Sequence, residues 1–355
     1  MDKISNFLLF NFIFFSISAS AFPTKPENGC RHHCRSFLSN QDKSKNQPVS
    51  PDYDFSIIGE FLFFRTVADT LKFAVSGLSE ANNSTPSLAL PVSESIEPKY
   101  VYSPAFRIGG TAPLYGRWKV CGIWTRLHQL SKNSVNDPNG QIFANLTVPA
   151  PGYPADEGVH ASGKWHFNLD VFDLEMRYPI TFNRTIKISP ILGIQGFIVT
   201  QKFDVLYSVL NSYGCIDPPF QLYEQPVQKQ IRSWGVGPEI GAHIIMTMPR
   251  NWAFFLTGAA SCMTGRYSVK TSFPNLVGYA TGTNYEINGA NYRLFSMCQI
   301  KGGISKSFSR MEVEVGWEVQ VWHRQQIAGG WINITQDSVS DISFWGPFAM
   351  LAIMF

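Results

Sequence analysis

The chain has 355 residues and a net charge of +3; only 15 % of its residues are charged, while 28 are Phe. A balance so close to neutral argues against nucleic acid as a partner. Beyond the N-terminus no apolar run approaches the ~20 residues of a membrane-spanning helix, which excludes a helical membrane protein. Membrane strands escape such a scan, because lumen-facing and lipid-facing residues alternate along them.

The N-terminus reads as an export signal over residues 1–21. Lys3 supplies a positive charge, partly offset by Asp2. Phe7 to Ile17 is apolar apart from Asn11 and Ser16, and Ala19-Ser20-Ala21 fits the small-residue cleavage pattern before Phe22. Residues 22–50 are polar, lack apolar periodicity and read as a flexible periplasmic lead-in. They hold Cys30-Arg31-His32-His33-Cys34. Export makes a disulfide at Cys30 and Cys34, within or between chains, the natural outcome. Inert thiols are the bland alternative. A metal site is disfavoured, because structural zinc sites combine two separated pairs and adjacent histidines do not easily join one tetrahedron.

Residues 51–355 read as an all-β, transmembrane antiparallel barrel of about ten strands, twelve being the upper bound. In chain order the candidate strands are 56–76, 104–112, 118–130, 164–178, 186–205, 229–247, 252–270, 287–305, 311–324 and 341–355. The first could itself be a hairpin near Ala68-Asp69. Long connections rich in Asn, Ser, Pro and Gly (77–103, 131–163, 206–228, 271–286 and 325–340) alternate without exception with short ones. Short periplasmic turns and long external loops produce that rhythm, and an even strand number leaves both termini on the periplasmic side.

Period-two patterning supports the strands. In 311–324, Met311, Val313, Val315, Trp317, Val319 and Val321 share one face; Glu312, Glu314, Glu318, Gln320 and Arg324 share the other. In 164–178, Trp165, Phe167, Leu169 and Val171 start one apolar phase, and Phe172, Leu174 and Met176 continue in the opposite one. A β-bulge between Val171 and Phe172 would produce such a slip. Aromatics gather near strand ends: Tyr115, Trp118, Tyr178, Phe182, Trp252 and Phe308 by the short turns, and Trp165, Trp234 and Trp322 by the long loops. Two girdles at the membrane interfaces are one reading of them, ordinary core packing the other. The last strand alternates Ala349, Leu351, Ile353 and Phe355, and a terminal aromatic closing an amphipathic strand resembles the recognition signal of outer-membrane barrels.

Several stretches, in order, resemble the Legionella/chlamydia-type major outer membrane protein family. They are Gly59 to Arg65, Pro104 to Gly109, Trp124 to His128, Leu169 to Glu175, Ser189 to Gly196, Gly235 to Gly241 and Gly316 to Trp322. The resemblance spans most of 56–355, excludes the lead-in and carries over no binding residue. It implies a porin-like pore in the bacterial outer membrane, passing ions and small hydrophilic solutes by diffusion.

If the registers hold, Arg107, His166, Asp170, Glu175, Arg177, Arg232, Glu312, Glu314, Glu318 and Arg324 line the interior, where rings of charge would set ion preference. Opposite charges could instead pair and plug a narrow lumen. Width favours caution: about 8 strands leave room for side chains alone, and an open channel takes about 16. The alternative is therefore a structural or adhesion barrel whose external loops meet a partner. Expected partners are outer-membrane lipid, small solutes, and a homo-oligomer or disulfide cross-linked assembly. No cofactor or metal is implied. Gly-x-Ser-x-Gly, His-Glu-x-x-His and phosphate-binding Gly loops are absent from the sequence, so it gives no reason to expect an enzyme.

Overall fold

The structure, a computed structural model, describes residues 55–68, 71–76, 94–137, 142–144, 157–210, 222–274, 285–326 and 339–355. All belong to one compact unit, Tyr53–Phe355. The export segment, the lead-in, Cys30, Cys34 and Cys215 lie outside the described residues. Cys121, Cys262 and Cys298 are free thiols.

Ten long strands follow the chain: β1 (Ser56–Ala68), β2 (Tyr102–Pro113), β3 (Lys119–Asn136), β4 (Glu157–Arg177), β5 (Ile186–Leu210), β6 (Leu222–Thr247), β7 (Trp252–Phe273), β8 (Tyr285–Ser307), β9 (Met311–Gln326) and β10 (Val339–Met354). Each pairs antiparallel with its neighbours in sequence, and β1 pairs with β10, with Ser56 opposite Met354. The sheet thereby closes on itself and loses its edges, which is what allows strands to live in lipid. At the lower end Phe355 donates its N–H to the Phe55 carbonyl. Short turns such as Leu114–Trp118 also lie there, with Gly116 at φ 63 supplying the left-handed residue.

The upper ends depart from expectation. β3 to β6 run several residues further than their hydrophobic patterning indicates. β1 stops at Ala68 rather than at residue 76, and residues 71–76 cross the mouth of the barrel. Phe73 packs on Phe203 of β5, with ring centroids 6.2 Å apart. It fills the space above Gly163 of β4, where a Cβ would lie 2.7 Å from its ring. Tyr207 donates its hydroxyl hydrogen to the Phe73 carbonyl. The short strand Ala74–Ser76 pairs on one side with Glu94–Ile96 and on the other with Ile142–Ala144, which continues onto β4. Leu71, Phe73, Ala74, Ile96 and Ile142 are buried, so this segment is a cap on the barrel.

Alternation runs through the wall, but its polarity reverses with height. Low on the barrel the outward residues are apolar and bare: Phe61 on β1, Ile108 on β2, Leu174 on β4 and Leu256 on β7 are each at least half exposed. Such a belt is costly in water and comfortable in lipid. Higher up, the outward residues of β3 and β4 are Arg126, His128, Lys132, Lys164, His166, Asn168 and Asp170, and the inward ones are Leu127, Trp165, Phe167, Leu169 and Val171.

This reversal replaces the expected bulge. The register of β4 against β3 runs unbroken from Arg177 to His160. Val171 still points in and Phe172 still points out; what changes between them is the medium outside the wall. The irregularities fall elsewhere, between Gly158 and His160 on β4 and between Trp322 and Gln325 on β9.

Candidate functional site

Two layers fill the interior. In the lower one, charged side chains from separate strands meet at Arg107 of β2. Its Nη2 donates to Glu318 Oε1 at 2.9 Å and its Nη1 to Glu318 Oε2 at 3.1 Å, a bidentate pair between β2 and β9. Nη1 also reaches Glu60 Oε2 of β1 at 3.1 Å, and Nε donates to Thr125 Oγ1 at 2.9 Å. Lys301 Nζ of β8 lies 2.9 Å from one Glu60 oxygen and 3.0 Å from the other. Gln299 and Gln320 add amide donors to Glu318 at 2.9 and 2.6 Å. Glu60, Glu318, Arg107 and Lys301 thus balance in charge. The first three are almost fully buried. Removing one member would strand the others without water, at a cost of about 3–5 kcal/mol.

Further inward groups complete this layer. Arg177 pairs with Glu175 at 2.6 Å. Gln195 donates to Asp173 at 2.7 Å and accepts from Ser261 Oγ at 2.6 Å. Glu239 of β6 is buried, and one of its oxygens has no partner among the described residues.

Above lies the aromatic layer, and its contacts cross the lumen rather than following the wall. Phe167 of β4 meets Phe344 of β10 at 5.6 Å, and Phe197 of β5 meets Trp322 of β9 at 5.2 Å and Phe295 of β8 at 5.1 Å. Each pair joins strands at least three places apart around the barrel. Trp165, Trp322, Phe167, Phe197, Phe295 and Phe344 are essentially fully buried. The layers are stitched together where Trp322 Nε1 donates to Gln320 Oε1 at 3.1 Å.

Of the residues expected inside, Arg107, Glu175, Arg177, Glu312, Glu314 and Glu318 do face inward. His166, Asp170 and Arg232 face outward, because each lies on the upper wall, where the polar face is the outer one. Asp170 accepts from Trp124 Nε1 at 3.1 Å and stands 3.8 Å from Arg126 on that outer surface. Arg324 is exposed on the β9 bulge at φ 58, outside the alternation. Trp165 and Trp322 belong to the core, not to a girdle; Trp234 stays outward, as do Phe63, which stacks on Tyr102, and Trp345, which meets Tyr102 edge-on. The lower girdle includes Tyr115, Phe182, Trp252 and Phe308, all exposed. Sequence reasoning missed Glu60 and Lys301. Each is a lone charge on the inward phase of an otherwise apolar or Gly-rich segment, a signal readable once the strand's lower half is known.

The model of the Legionella pneumophila major outer membrane protein precursor family matches residues 48–355. The chain belongs to this family. This member of the major outer membrane protein family resides in the bacterial outer membrane, and its lower apolar belt is the lipid-facing surface. No curated protein sequence matches the chain. Among solved structures, the chain is similar to the outer membrane protease OmpT of Escherichia coli, at 10 % identity and a TM-score of 0.47, covering 88 % of this chain and 100 % of that one. The toluene transporter TodX of P. putida aligns at 6 % identity and TM-score 0.26, covering 86 % and 91 %. The translocator domain of the autotransporter NalP from Neisseria meningitidis aligns at 7 % and 0.20, covering 85 % and 88 %.

Proposed function

We propose that this chain is a sealed outer-membrane barrel, a surface scaffold that presents its long outer connections, and that the narrow pore is the second reading. The observation that carries this is the ring contact of Phe197 with Trp322 across the lumen at 5.2 Å, which leaves no room for a water column between those strands. The buried capping segment 71–76 above it and the buried Arg107–Glu318 pair below it support the same reading. Favouring the pore is the polar lower interior, where Glu312, Glu314 and the Glu175–Arg177 pair face inward as the walls of a channel would. On the sealed reading these groups are a hydrated vestibule open to the periplasm, and external adhesion or packing is the work of the outer loops. Export by a cleaved leader over residues 1–21, with cross-linking through Cys30 and Cys34, completes the proposal for the N-terminal part. Purified barrel inserted in planar bilayers should show no conductance steps at any voltage. Reproducible ohmic steps from the unmodified protein would defeat the sealed reading in favour of the pore.

A further inference from the structure

The outer wall just above the apolar belt is basic. Arg126 and Lys132 follow Trp124 on the outward phase of β3, and Lys164 occupies the same phase on β4. On β6 Arg232 is the next outward residue above Trp234, and on β7 Arg266 stands above Cys262 and Thr264. Acidic neighbours neutralise part of this band: Asp170 faces Arg126 at 3.8 Å, Asp204 binds Lys202 at 3.0 Å and Glu286 binds Lys270 at 2.9 Å. Lys132, Lys164, Arg232 and Arg266 are exposed and have no carboxylate within ion-pair distance among the described residues.

This wall is also concave. One cleft of about 630 Å³ is lined by Lys99, Lys132 and Lys164 together with Asn133 and Ser162, and Asp204 sets one carboxylate against these three cations. A second, of about 520 Å³, is lined by Arg232 and Lys270 with Gln230 and Asn288. Lysine and arginine suit phosphate oxygens, and the amides and hydroxyls beside them suit sugar hydroxyls. The band lies on the barrel's flank, directly above residues that lie in lipid. The second cleft, beside Trp234, therefore borders the plane of the outer headgroups, and the first stands further up the same flank.

We propose that this band docks a phosphorylated glycolipid of the outer leaflet, its acyl chains on the apolar belt and its phosphates in the two basic clefts. The surplus of unpaired positive charge matches the anionic headgroup, and four strands, β3, β4, β6 and β7, carry it.

The full chain, folded in neutral detergent, is titrated with bis-phosphorylated lipid A, with the same lipid after removal of its phosphates, and with inorganic phosphate. The unmodified protein should prefer the phosphorylated lipid by about tenfold or more, as expected for several basic groups facing an anionic surface. Inorganic phosphate at millimolar level should not compete. The quadruple variant K132Q/K164Q/R232Q/R266Q should lose the preference while keeping its strand circular dichroism, and the charge-keeping K132R/K164R should retain it. Lys306→Gln, at the opposite rim beside Trp252, should change nothing. Equal binding of the two lipids, full competition by inorganic phosphate, or an unchanged preference in the folded quadruple variant would each overturn the proposal.

Discussion

The upper and lower halves of this barrel are built from the same strands with opposite arrangements of polarity. Below, Leu174 and Met176 face out while Glu175 and Arg177 face in; above, Asn168 and His166 face out while Phe167 and Trp165 face in. The backbone does not register the difference, since β4 keeps its pairing with β3 throughout. The upper half obeys the rule of a soluble protein, with apolar side chains inside. In the lower half lipid takes over the apolar face and the interior is left to charges. One strand can satisfy both solvents because its side chains alternate strictly; only their chemistry has to change at the boundary.

Targeted substitutions probe that contrast. The largest effect is expected in the upper core. Replacing Phe197 and Trp322 together by Ala should cost about 3–5 kcal/mol for each ring lost and open a leak. Lowered unfolding midpoints and conductance steps in bilayers would report it. The lower interior should be nearly as sensitive, for an electrostatic reason. Arg107→Ala leaves Glu318 and Glu60 facing each other with Lys301 alone to balance them, a loss of about 3–5 kcal/mol in denaturant titrations. The outer surfaces separate the halves most cleanly. Leu174→Arg places a charge in the belt and should cost about 2–4 kcal/mol in folding into vesicles, whereas Asn168→Arg, on the same face of the same strand, should cost almost nothing. Equal costs would mean that the belt ends elsewhere. Smallest is the cap. Gly163→Ala would push a Cβ against Phe73 and should lower stability by about 1–3 kcal/mol, read as faster proteolysis of residues 69–101.

Much of this is legible in the sequence. The alternation of connection lengths indicates ten strands, and the faces of 311–321 are as the Glu and Val spacing indicates, with Arg324 lost to the bulge. Misreadings collect where the outer medium changes. Trp165 to Val171 and Phe172 to Met176 look out of phase when a single solvent is assumed, so the spacing suggests a bulge and turns His166 and Asp170 inward. The irregularity near Arg324 has no such signature, because Arg324 continues the spacing of Glu318 and Gln320. The cap is hidden for a different reason: Leu71 and Phe73 continue the apolar rhythm of β1, and only their contacts with Gly163 and Phe203 distinguish a crossing segment from a longer strand. The Arg107 cluster joins β1, β2, β8 and β9, and no local pattern shows which distant strands will share one level.

The central claim is that β4 passes from water into lipid without changing phase. Single cysteines at positions 164 to 176, in a chain whose own cysteines are replaced, test it by labelling with a membrane-impermeant maleimide in vesicles. The account predicts that Lys164→Cys, His166→Cys and Asn168→Cys react. Phe167→Cys and Leu169→Cys, on the inward phase, should stay silent, and so should the lipid-facing Leu174→Cys and Met176→Cys. Labelling at 167 and 169 in place of 166 and 168 would contradict it, because the upper half would then be turned inside out by a bulge.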